Sequence, residues 1–225
     1  MPAATPRIYV LAGVNGAGKS SLGGAMIRAA GADYYNPDEA ARALRRRRPA
    51  MTQQEANAAA WQQGRHLLEQ AIAARQDFAF ETTLGASTIP RLLAQASDAG
   101  FEVRIWYAGL ASPELHLARV KARVAGGGHD IPEADIRRRY RHSRINLIAL
   151  LERLAALRVY DNSAAADPAG GTAPAPQLVL HMQRRREGQR EGQRDGQRIM
   201  NPRDLPRTPA WARSIVAAAM KLHMA

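Results

Sequence analysis

The sequence predicts a three-layer α/β fold with a mainly parallel sheet of five or six strands, and three observations support this prediction. Short apolar runs of strand length alternate with longer segments of helical periodicity. Strands separated by helices of that length pair in parallel and are covered by helices on their faces. The first run leads directly into a glycine-rich segment that opens a helix, as in sheets that bind ligands at their carboxyl edge.

The predicted strands are short runs rich in apolar, β-branched or aromatic residues. They cover residues 7–12, 33–36, 78–80, 103–108 and 158–160, with a sixth at 177–183. The predicted helices cover residues 19–30, 39–48, 52–75, 87–99, 112–124, 133–154 and 209–222. Helix ends carry the expected signals, because Thr52 and Glu55 form a capping box, Ser112 precedes a proline, and Gly31 and Gly100 end two helices.

Composition changes after Asn162 and divides the chain. Residues 1–163 form the predicted core, which includes a helical lid at about 124–142. Residues 164–225 form a predicted extension with an Ala/Pro/Gly loop, a strand and a terminal helix that packs back on the core. Within it, residues 187–198 repeat Glu/Asp-Gly-Gln-Arg three times. A four-residue repeat with glycine in every unit fits neither a helix face nor a solenoid, so we expect a mobile hairpin loop.

The bulk composition narrows the class of protein. The chain has no cysteine, which excludes disulfides and thiolate metal sites. It also lacks an apolar run near the roughly 18 residues that span a bilayer and a secretory signal, so we expect a cytoplasmic protein without membrane contact. The formal net charge is +12, and almost all of the positive charge comes from arginine. It indicates either anionic partners or the compositional bias of a genome.

Residues Gly13 to Ser20 read Gly-Val-Asn-Gly-Ala-Gly-Lys-Ser and match the phosphate-binding pattern G-x-x-x-x-G-K-[ST] in full. The glycines allow successive N–H groups to point at phosphate oxygens, and the following helix adds its positive dipole end. Lys19 is predicted to reach the β- and γ-phosphates of ATP, and the Ser20 hydroxyl to ligate Mg²⁺. The predicted ATP-binding residues are Gly13, Asn15, Gly16, Ala17, Gly18, Lys19, Ser20, Ser21 and Asn162.

A carboxylate follows the second predicted strand within the turn Asn36-Pro37-Asp38. The position lies at the carboxyl edge of the sheet, where ligands bind in such folds. Asp38 there is suited to accept the proton of an acceptor hydroxyl. The alternative is that Asp38 caps the helix that starts at Glu39, and the sequence leaves both open.

The third predicted strand ends in Glu81-Thr82-Thr83-Leu84-Gly85. Three polar side chains at a strand tip suit hydrogen bonding to a hydroxyl-rich ligand, although ordinary loop capping produces the same pattern. None of the predicted strands ends in the aspartate typical of motor and switch ATPases. The combination therefore favours phosphoryl transfer to a small molecule.

Glycines at positions 126–128 form a predicted hinge, followed by His129 and a helix that begins at Glu133. Arginines flank this hinge, and an arginine that closes over transferring phosphates stabilises their charge. Most of them are expected to lie on solvated helix faces. Arg123 and one or two of residues 137–139 are the better candidates, whereas His129 is expected to stabilise the loop.

Taken together, these motifs resemble the short zeta-toxin-like family of P-loop kinases. The resemblance spans residues 7–163 in order: the phosphate loop, Asn-Pro-Asp, Phe-Glu-Thr-Thr-Leu, Arg-Val-(x)₂-Gly-Gly-His-(x)₂-Pro, Ile-Arg-Arg-Arg-Tyr and Tyr-Asp-Asn-Ser. Zeta toxins phosphorylate the 3′-hydroxyl of the amino sugar in UDP-N-acetylglucosamine. The chain is shorter than the plasmid-type toxins, and its Glu/Asp-Gly-Gln-Arg repeat matches no motif of the family.

The resemblance implies roles for individual residues. Asp38 falls on the catalytic base, and Arg123 and Arg139 fall on lid arginines at the γ-phosphate. Asn162 and Ser163 fall near the adenine edge. Glu81 and Thr83 fall on sugar-nucleotide contacts. The full set of predicted acceptor contacts is Asp38, Glu81, Thr82, Thr83 and Arg138. If the protein is a toxin, we expect its antitoxin to be a separate chain, because the first strand begins close to Met1.

The leading hypothesis is therefore a kinase that uses ATP and Mg²⁺ to phosphorylate a UDP-sugar. A kinase of another small hydroxyl-bearing metabolite is the alternative within enzymes. The arginine repeat and the charge also fit a nucleic-acid-binding ATPase or polynucleotide kinase, but the aromatic content of 5% offers few stacking platforms for bases. A regulatory protein that holds nucleotide without turnover is the last alternative.

Overall fold

The computed structural model describes residues 4–19, 22, 34–164, 174–184, 198–200 and 207–224. Its strands are β1 (Arg7–Ala12), β2 (Tyr34–Tyr35), β3 (Phe78–Thr82), β4 (Glu102–Gly109), β5 (Ala156–Asp161), β6 (Gln177–Arg184) and β7 (Arg198–Met200). Its helices are α1 (Pro37–Arg47), α2 (Gln53–Ala74), α3 (Thr88–Asp98), α4 (Pro113–Ala125), α5 (Glu133–Leu150) and α6 (Arg213–Met224). Short 3₁₀ turns follow α5 at Leu151–Arg153 and precede α6 at Ala210–Ala212.

The strands form one seven-stranded sheet in the order β2-β3-β1-β4-β5-β6-β7. The first five strands in this order are parallel, whereas β6 and β7 are antiparallel to their neighbours. The α/β fold with a mainly parallel sheet is thus confirmed. The predicted sixth strand is β6. The short β7, which begins at the last residue of the glycine-rich repeat, is a seventh strand that was not predicted from the sequence.

The alternation of side chains along the central strand β1 divides the core between the two faces of the sheet. Ile8 and Val10 face the larger apolar cluster, which includes buried side chains of α3, α5 and α6. Leu11 faces the opposite side, where it packs with Ala79 of β3. Alternating burial of this kind fixes the register, because a slip by one residue would turn every core side chain to the wrong face.

Helix bounds agree with the sequence to within a few residues, and two differences have a physical cause: α1 begins at Pro37 instead of Glu39, and α5 ends at Leu150 instead of Leu154. The start of α1 is capped by Asn36, whose Oδ1 accepts from the backbone N–H groups of Asp38 and Glu39. The alternative in which Asp38 caps the helix is therefore wrong, and its carboxylate is left for other contacts. The long helix predicted to reach Leu154 instead tightens into a 3₁₀ turn after Leu150.

Other expected helix ends are found as predicted. Thr52 and Glu55 make both hydrogen bonds of the capping box at the start of α2, and Ser112 caps α4. Apart from Lys19 and Leu22, the predicted helix at 19–30 lies outside the described residues. The predicted mobile loop at 187–198 also lies outside them, except for Arg198, which begins β7.

Candidate active site

The carboxyl ends of the parallel strands meet at one edge of the sheet, where a cavity of about 660 Å³ opens. Five parts of the chain line it: the loop after β1, the start of α1, one face of α2, the end of β3, and the lid between His129 and Arg139. Lys19 and Asp38 both line this cavity, so the fold brings together two groups that are distant in sequence.

The loop after β1 takes the backbone shape expected of a phosphate cradle. Gly13 and Gly18 have φ values of 143° and 79°, which residues with a Cβ rarely adopt. A Cβ at Gly13 would collide with the carbonyl group of Ala108, and one at Gly18 with the side-chain amide of Asn162. Both glycines are therefore required by conformation and by close packing.

Lys19 forms a buried ion pair with Glu81, with 3.3 Å between Nζ and Oε1 and side chains only 8% and 10% exposed. The other carboxylate oxygen of Glu81 accepts hydrogen bonds from Tyr34 Oη at 2.8 Å and from Asn36 Nδ2 at 3.1 Å. Burial of a charge requires such partners. The tip of β3 thus holds the ammonium group of the phosphate loop at the boundary of the cavity.

Asn15, in the middle of the phosphate loop, is held from two sides. Its backbone carbonyl lies 2.8 Å from His116 Nδ1 of α4, which must donate because a carbonyl only accepts. Its side-chain Oδ1 accepts from Arg139 Nη1 of the lid at 2.8 Å. Burial lowers the pKa of His116 to about 4, and the positive charges of Lys19 and Arg119 act in the same direction.

Arg139 itself is fixed by its neighbours on α5. Its Nη2 donates to Asp135 Oδ2 at 3.3 Å. Burial lowers the pKa of Arg139 from its usual value, and Asp135 opposes that shift. Gly85 packs so closely on the stem of Arg139 that a Cβ would collide with it. The lid arginine is therefore positioned against both the phosphate loop and the tip of β3.

Asp38 lies between Arg123 at the end of α4 and His129 of the lid. Its Oδ2 is 3.6 Å from Arg123 Nη1, and its Oδ1 is 3.9 Å from His129 Nε2. Arg123 Nη2 also donates to the backbone carbonyl of His129 at 3.1 Å, so the residues after the hinge hold this arginine. Burial lowers the pKa of His129, although the charge of Asp38 opposes the shift. The carboxylate of Asp38 is still 41% exposed and open to the cavity.

The loop after β3 bends sharply at the cavity. Thr82 Oγ1 accepts from the N–H of Leu84, and Thr83 Oγ1 accepts from the N–H of Gly85. Leu84 has a positive φ of 51°, and its carbonyl accepts from Asn146 Nδ2 of α5 at 2.7 Å. Both threonines line the cavity, but part of their hydrogen-bonding capacity serves the loop itself.

Some predicted site residues lie elsewhere. Arg138 is exposed and pairs with Asp135 at 2.7 Å, and it does not line the cavity. Asn162 Nδ2 donates to the backbone carbonyl of Ala17 at 2.9 Å, which places it against the phosphate loop. Ser20 and Ser21 lie outside the described residues.

Sequence reasoning missed several residues of the site. Asn36 caps α1 and supports Glu81, His116 supports the phosphate loop, and Asp135 holds Arg139. One face of α2 was also missed, although a spacing of four residues was visible in the sequence. Its cavity-lining side chains are Gln53, Gln54, Asn57, Trp61 and Arg65.

Comparison with known proteins places this arrangement in a family. A protein-family model described as AAA domain matches residues 8–143. An uncharacterised protein of Haemophilus influenzae is 41% identical over 63 residues, which are 28% of this chain and 45% of that protein. The matched part of the chain therefore spans less than half of that relative.

Two solved structures share the fold at low sequence identity. A structure of AvrRxo1-ORF1:-ORF2 with ATP has a TM-score of 0.60 at 13% identity, covering 80% of this chain and 59% of that chain. A structure of the PezAT chromosomal toxin–antitoxin system of Streptococcus pneumoniae has a TM-score of 0.54 at 16% identity, covering 78% and 76%. Within the described ranges of this chain, no helix is long and apolar enough to cross a membrane.

Proposed function

The chain belongs to the AAA domain family, and from this membership and the geometry of the cavity we propose that it is an ATP-dependent kinase of a small molecule. One observation carries the proposal: Lys19 of the phosphate loop and the carboxylate of Asp38 line the same cavity. Phosphoryl transfer needs little more than a positioned acceptor, a proton acceptor and positive charge around the phosphates.

The proposed reaction is a direct transfer. The acceptor hydroxyl oxygen attacks the γ-phosphorus of ATP, the bond from that phosphorus to the β–γ bridging oxygen breaks, and ADP leaves. The hydroxyl proton passes to Asp38. Lys19 exchanges its contact with Glu81 for the β- and γ-phosphates, and Arg139 and Arg123 stabilise the charge on the equatorial oxygens.

Mg²⁺ belongs to the proposal through the nucleotide. In the described ranges no cluster of three His, Asp or Glu side chains could hold a metal ion, which fits an ion held mainly by phosphate oxygens. Ser20 is the proposed protein ligand. When bound, the ion neutralises charge on the phosphates and helps to orient them.

The proposed acceptor is a UDP-sugar such as UDP-N-acetylglucosamine, on the basis of the sequence resemblance to zeta toxins. Glu81, Thr82 and Thr83 at the tip of β3 line the same cavity as Asp38 and are the proposed sugar contacts. Arg138 is proposed as a further contact of the acceptor, and Asn162 as a contact of the adenine. The proposal extends to the role of a toxin with a separate antitoxin chain.

The test is a mass-spectrometric assay of the purified protein with ATP, Mg²⁺ and UDP-N-acetylglucosamine. We expect ADP and a sugar nucleotide that carries one additional phosphate, and no such product from Lys19→Met. An unchanged acceptor together with ATP turnover in a metabolite extract would assign the kinase another acceptor. If calorimetry detects no binding of Mg-ATP at millimolar concentration, the proposal of a kinase is wrong.

A further inference from the structure

We propose that one face of α2 binds a planar heteroaromatic ring at the end of the acceptor distant from the reacting hydroxyl, and that Trp61 stacks on this ring. This inference rests on the proposed function and adds the surface and the residue that bind the heteroaromatic part of the acceptor. The binding face consists of Gln53, Gln54, Asn57, Trp61 and Arg65 and is called the α2 face below.

The spacing of these residues places them on one side of the helix. Residues three and four positions apart are neighbours on a helix surface, and the α2 face continues over three turns. All of its members line the cavity that also contains Lys19 and Asp38. The acceptor can therefore contact the α2 face and the reacting groups at once.

The α2 face is held firmly against the end of the sheet. Tyr35 at the end of β2 donates its hydroxyl to the carbonyl of Ala60 at 2.5 Å. Its ring packs against Gly64, where a Cβ would collide with it. Because these contacts flank Trp61 in sequence, they fix the helix backbone at Trp61 relative to the end of β2.

Trp61 is a large apolar side chain that is 39% exposed. The other large exposed hydrophobic residues in the described part of the chain, Ile145 and Leu178, do not line the cavity. An aromatic ring exposed in the wall of a cavity offers its π-face to a ligand, and the stacking of a base on an aromatic side chain is favourable for every base.

The surroundings of Trp61 favour a polar, uncharged ring. Gln53, Gln54 and Asn57 present carboxamides, which have both donors and acceptors, as the edge of a nucleobase does. Gln53 Nε2 donates to Asn57 Oδ1 at 2.8 Å and Gln53 Oε1 accepts from Arg45 at 3.0 Å, so Gln54 and the NH₂ group of Asn57 are the groups offered to the ring. Arg65, one turn after Trp61, is paired with Glu69 at 2.9 Å, so its charge is compensated within the helix.

The volume of the cavity supports an extended acceptor. Cavities of about 300 to 1,000 Å³ accommodate ligands of drug size, and the value of about 660 Å³ lies within this range. An acceptor that consisted of one sugar ring at Asp38 would leave the α2 face without a ligand. A sugar joined to a flat ring fills both ends.

The test measures binding separately from catalysis. The full chain is first saturated with Mg²⁺ and the non-hydrolysable analogue AMP-PNP, so that the phosphate loop is filled. Uridine, cytidine, guanosine and adenosine are then titrated by calorimetry at millimolar concentration, beside N-acetylglucosamine 1-phosphate and maltose as probes that lack an aromatic ring. The variants are Trp61→Ala, Trp61→Phe, and Ile145→Ala as the control for loss of an exposed apolar side chain.

We expect at least one nucleoside to bind, and Trp61→Ala to weaken that binding roughly 10- to 100-fold, the usual range for removal of a stacking ring. Trp61→Phe should retain most of the affinity because it keeps a π-face, and Ile145→Ala should match the wild type. If UDP-N-acetylglucosamine is phosphorylated, Trp61→Ala should raise its KM and leave kcat and the KM for ATP nearly unchanged.

Three results would overturn the inference while leaving the kinase proposal intact: no nucleoside binds, Trp61→Ala binds as the wild type does, or the saccharides depend on Trp61 as strongly as the nucleosides do. Failure of AMP-PNP to bind would instead overturn the proposed function. The two failures are thus measured in separate titrations.

Discussion

The two walls of the cavity are built differently. The wall proposed to bind the nucleotide, called the nucleotide wall, consists of the loop after β1 and its supports, and Asn15 and Lys19 in it are each 8% exposed. The wall proposed to bind the acceptor, called the acceptor wall, consists of Asp38, the α2 face and the tip of β3, and Asp38 and Trp61 in it are each about 40% exposed. A triphosphate never varies, so its binding surface can be rigid backbone, whereas an acceptor is selected by separate side chains.

Replacement of Asp38 by Asn tests whether chemistry depends on the acceptor wall. Asn keeps the size of the side chain but cannot take the hydroxyl proton, so we expect kcat to fall about 10²- to 10⁴-fold. The affinity for ATP should change little, because the contacts of Asp38 lie with the lid and not with the phosphate loop. Steady-state kinetics and calorimetry with ATP give the two values.

The matched control for Asp38→Asn is Asp130→Asn. Asp130 also lines the cavity, but its Oδ1 accepts from the backbone N–H of Ile131, a bond that Asn can keep. We expect kinetics close to those of the wild type from this control. A kcat for Asp38→Asn within tenfold of the wild type would remove Asp38 from the role of proton acceptor.

The difference between the walls also decides how much could be predicted from the sequence. The phosphate loop is contiguous, and its glycines are required by backbone geometry, so its shape follows from the pattern itself. The strands of the parallel sheet were predicted from apolar runs for the same local reason. The phosphate loop and the strands could be predicted because each depends on the residues of one short segment.

The acceptor wall could be predicted only in part, because its residues come from several elements. Gln54 and Asn57 appear in the sequence as part of the polar face of a long helix, which is also the pattern of a solvated surface, and Trp61 is a single aromatic residue on that face. His116 is a single histidine in α4, and nothing nearby in sequence indicates its bond to Asn15. Only the packing of α2 and α4 against the strand ends distinguishes these residues from surface residues.

Glu81 joins the two walls, and its replacement by Gln tests that connection. Gln keeps the hydrogen-bond acceptor for Tyr34 but leaves the buried ammonium of Lys19 without a counter-charge. We expect the free energy of unfolding to fall by about 3 kcal/mol, since the loss of one partner of a buried ion pair is costly. ATP should restore part of this loss, because its phosphates supply negative charge to Lys19. Urea denaturation with and without ATP measures both effects.

An ion pair within α2 provides the control for Glu81. Glu69 pairs with Arg65 at 2.9 Å, but both side chains are more than a third exposed. Glu69→Gln should therefore cost no more than about 0.5 kcal/mol. Equal stability of the two variants would show that the pair of Lys19 and Glu81 does not connect the walls.

The pH dependence of stability tests whether burial keeps His116, which supports the nucleotide wall, in its neutral form. Its pKa is about 4 in the folded chain, against 6.5 for the ordinary side chain, because the charged form is buried near Lys19, Arg119 and Arg144. Between these values the unfolded chain binds more protons. The stabilisation by neutral His116 is thus fully present above pH 6.5 and is lost as the pH falls toward 4.

From pH 7 to pH 4.5 this group should remove about 2 kcal/mol from the free energy of unfolding. His116→Asn keeps an N–H donor near the position of Nδ1 for the carbonyl of Asn15 but does not titrate in this range. Carboxylates that titrate in the same range contribute equally to both proteins, so the difference between their urea denaturation curves isolates His116. A wild type that loses no more stability than His116→Asn would show that protons reach this histidine in the folded state, and that the nucleotide wall is as open as the acceptor wall.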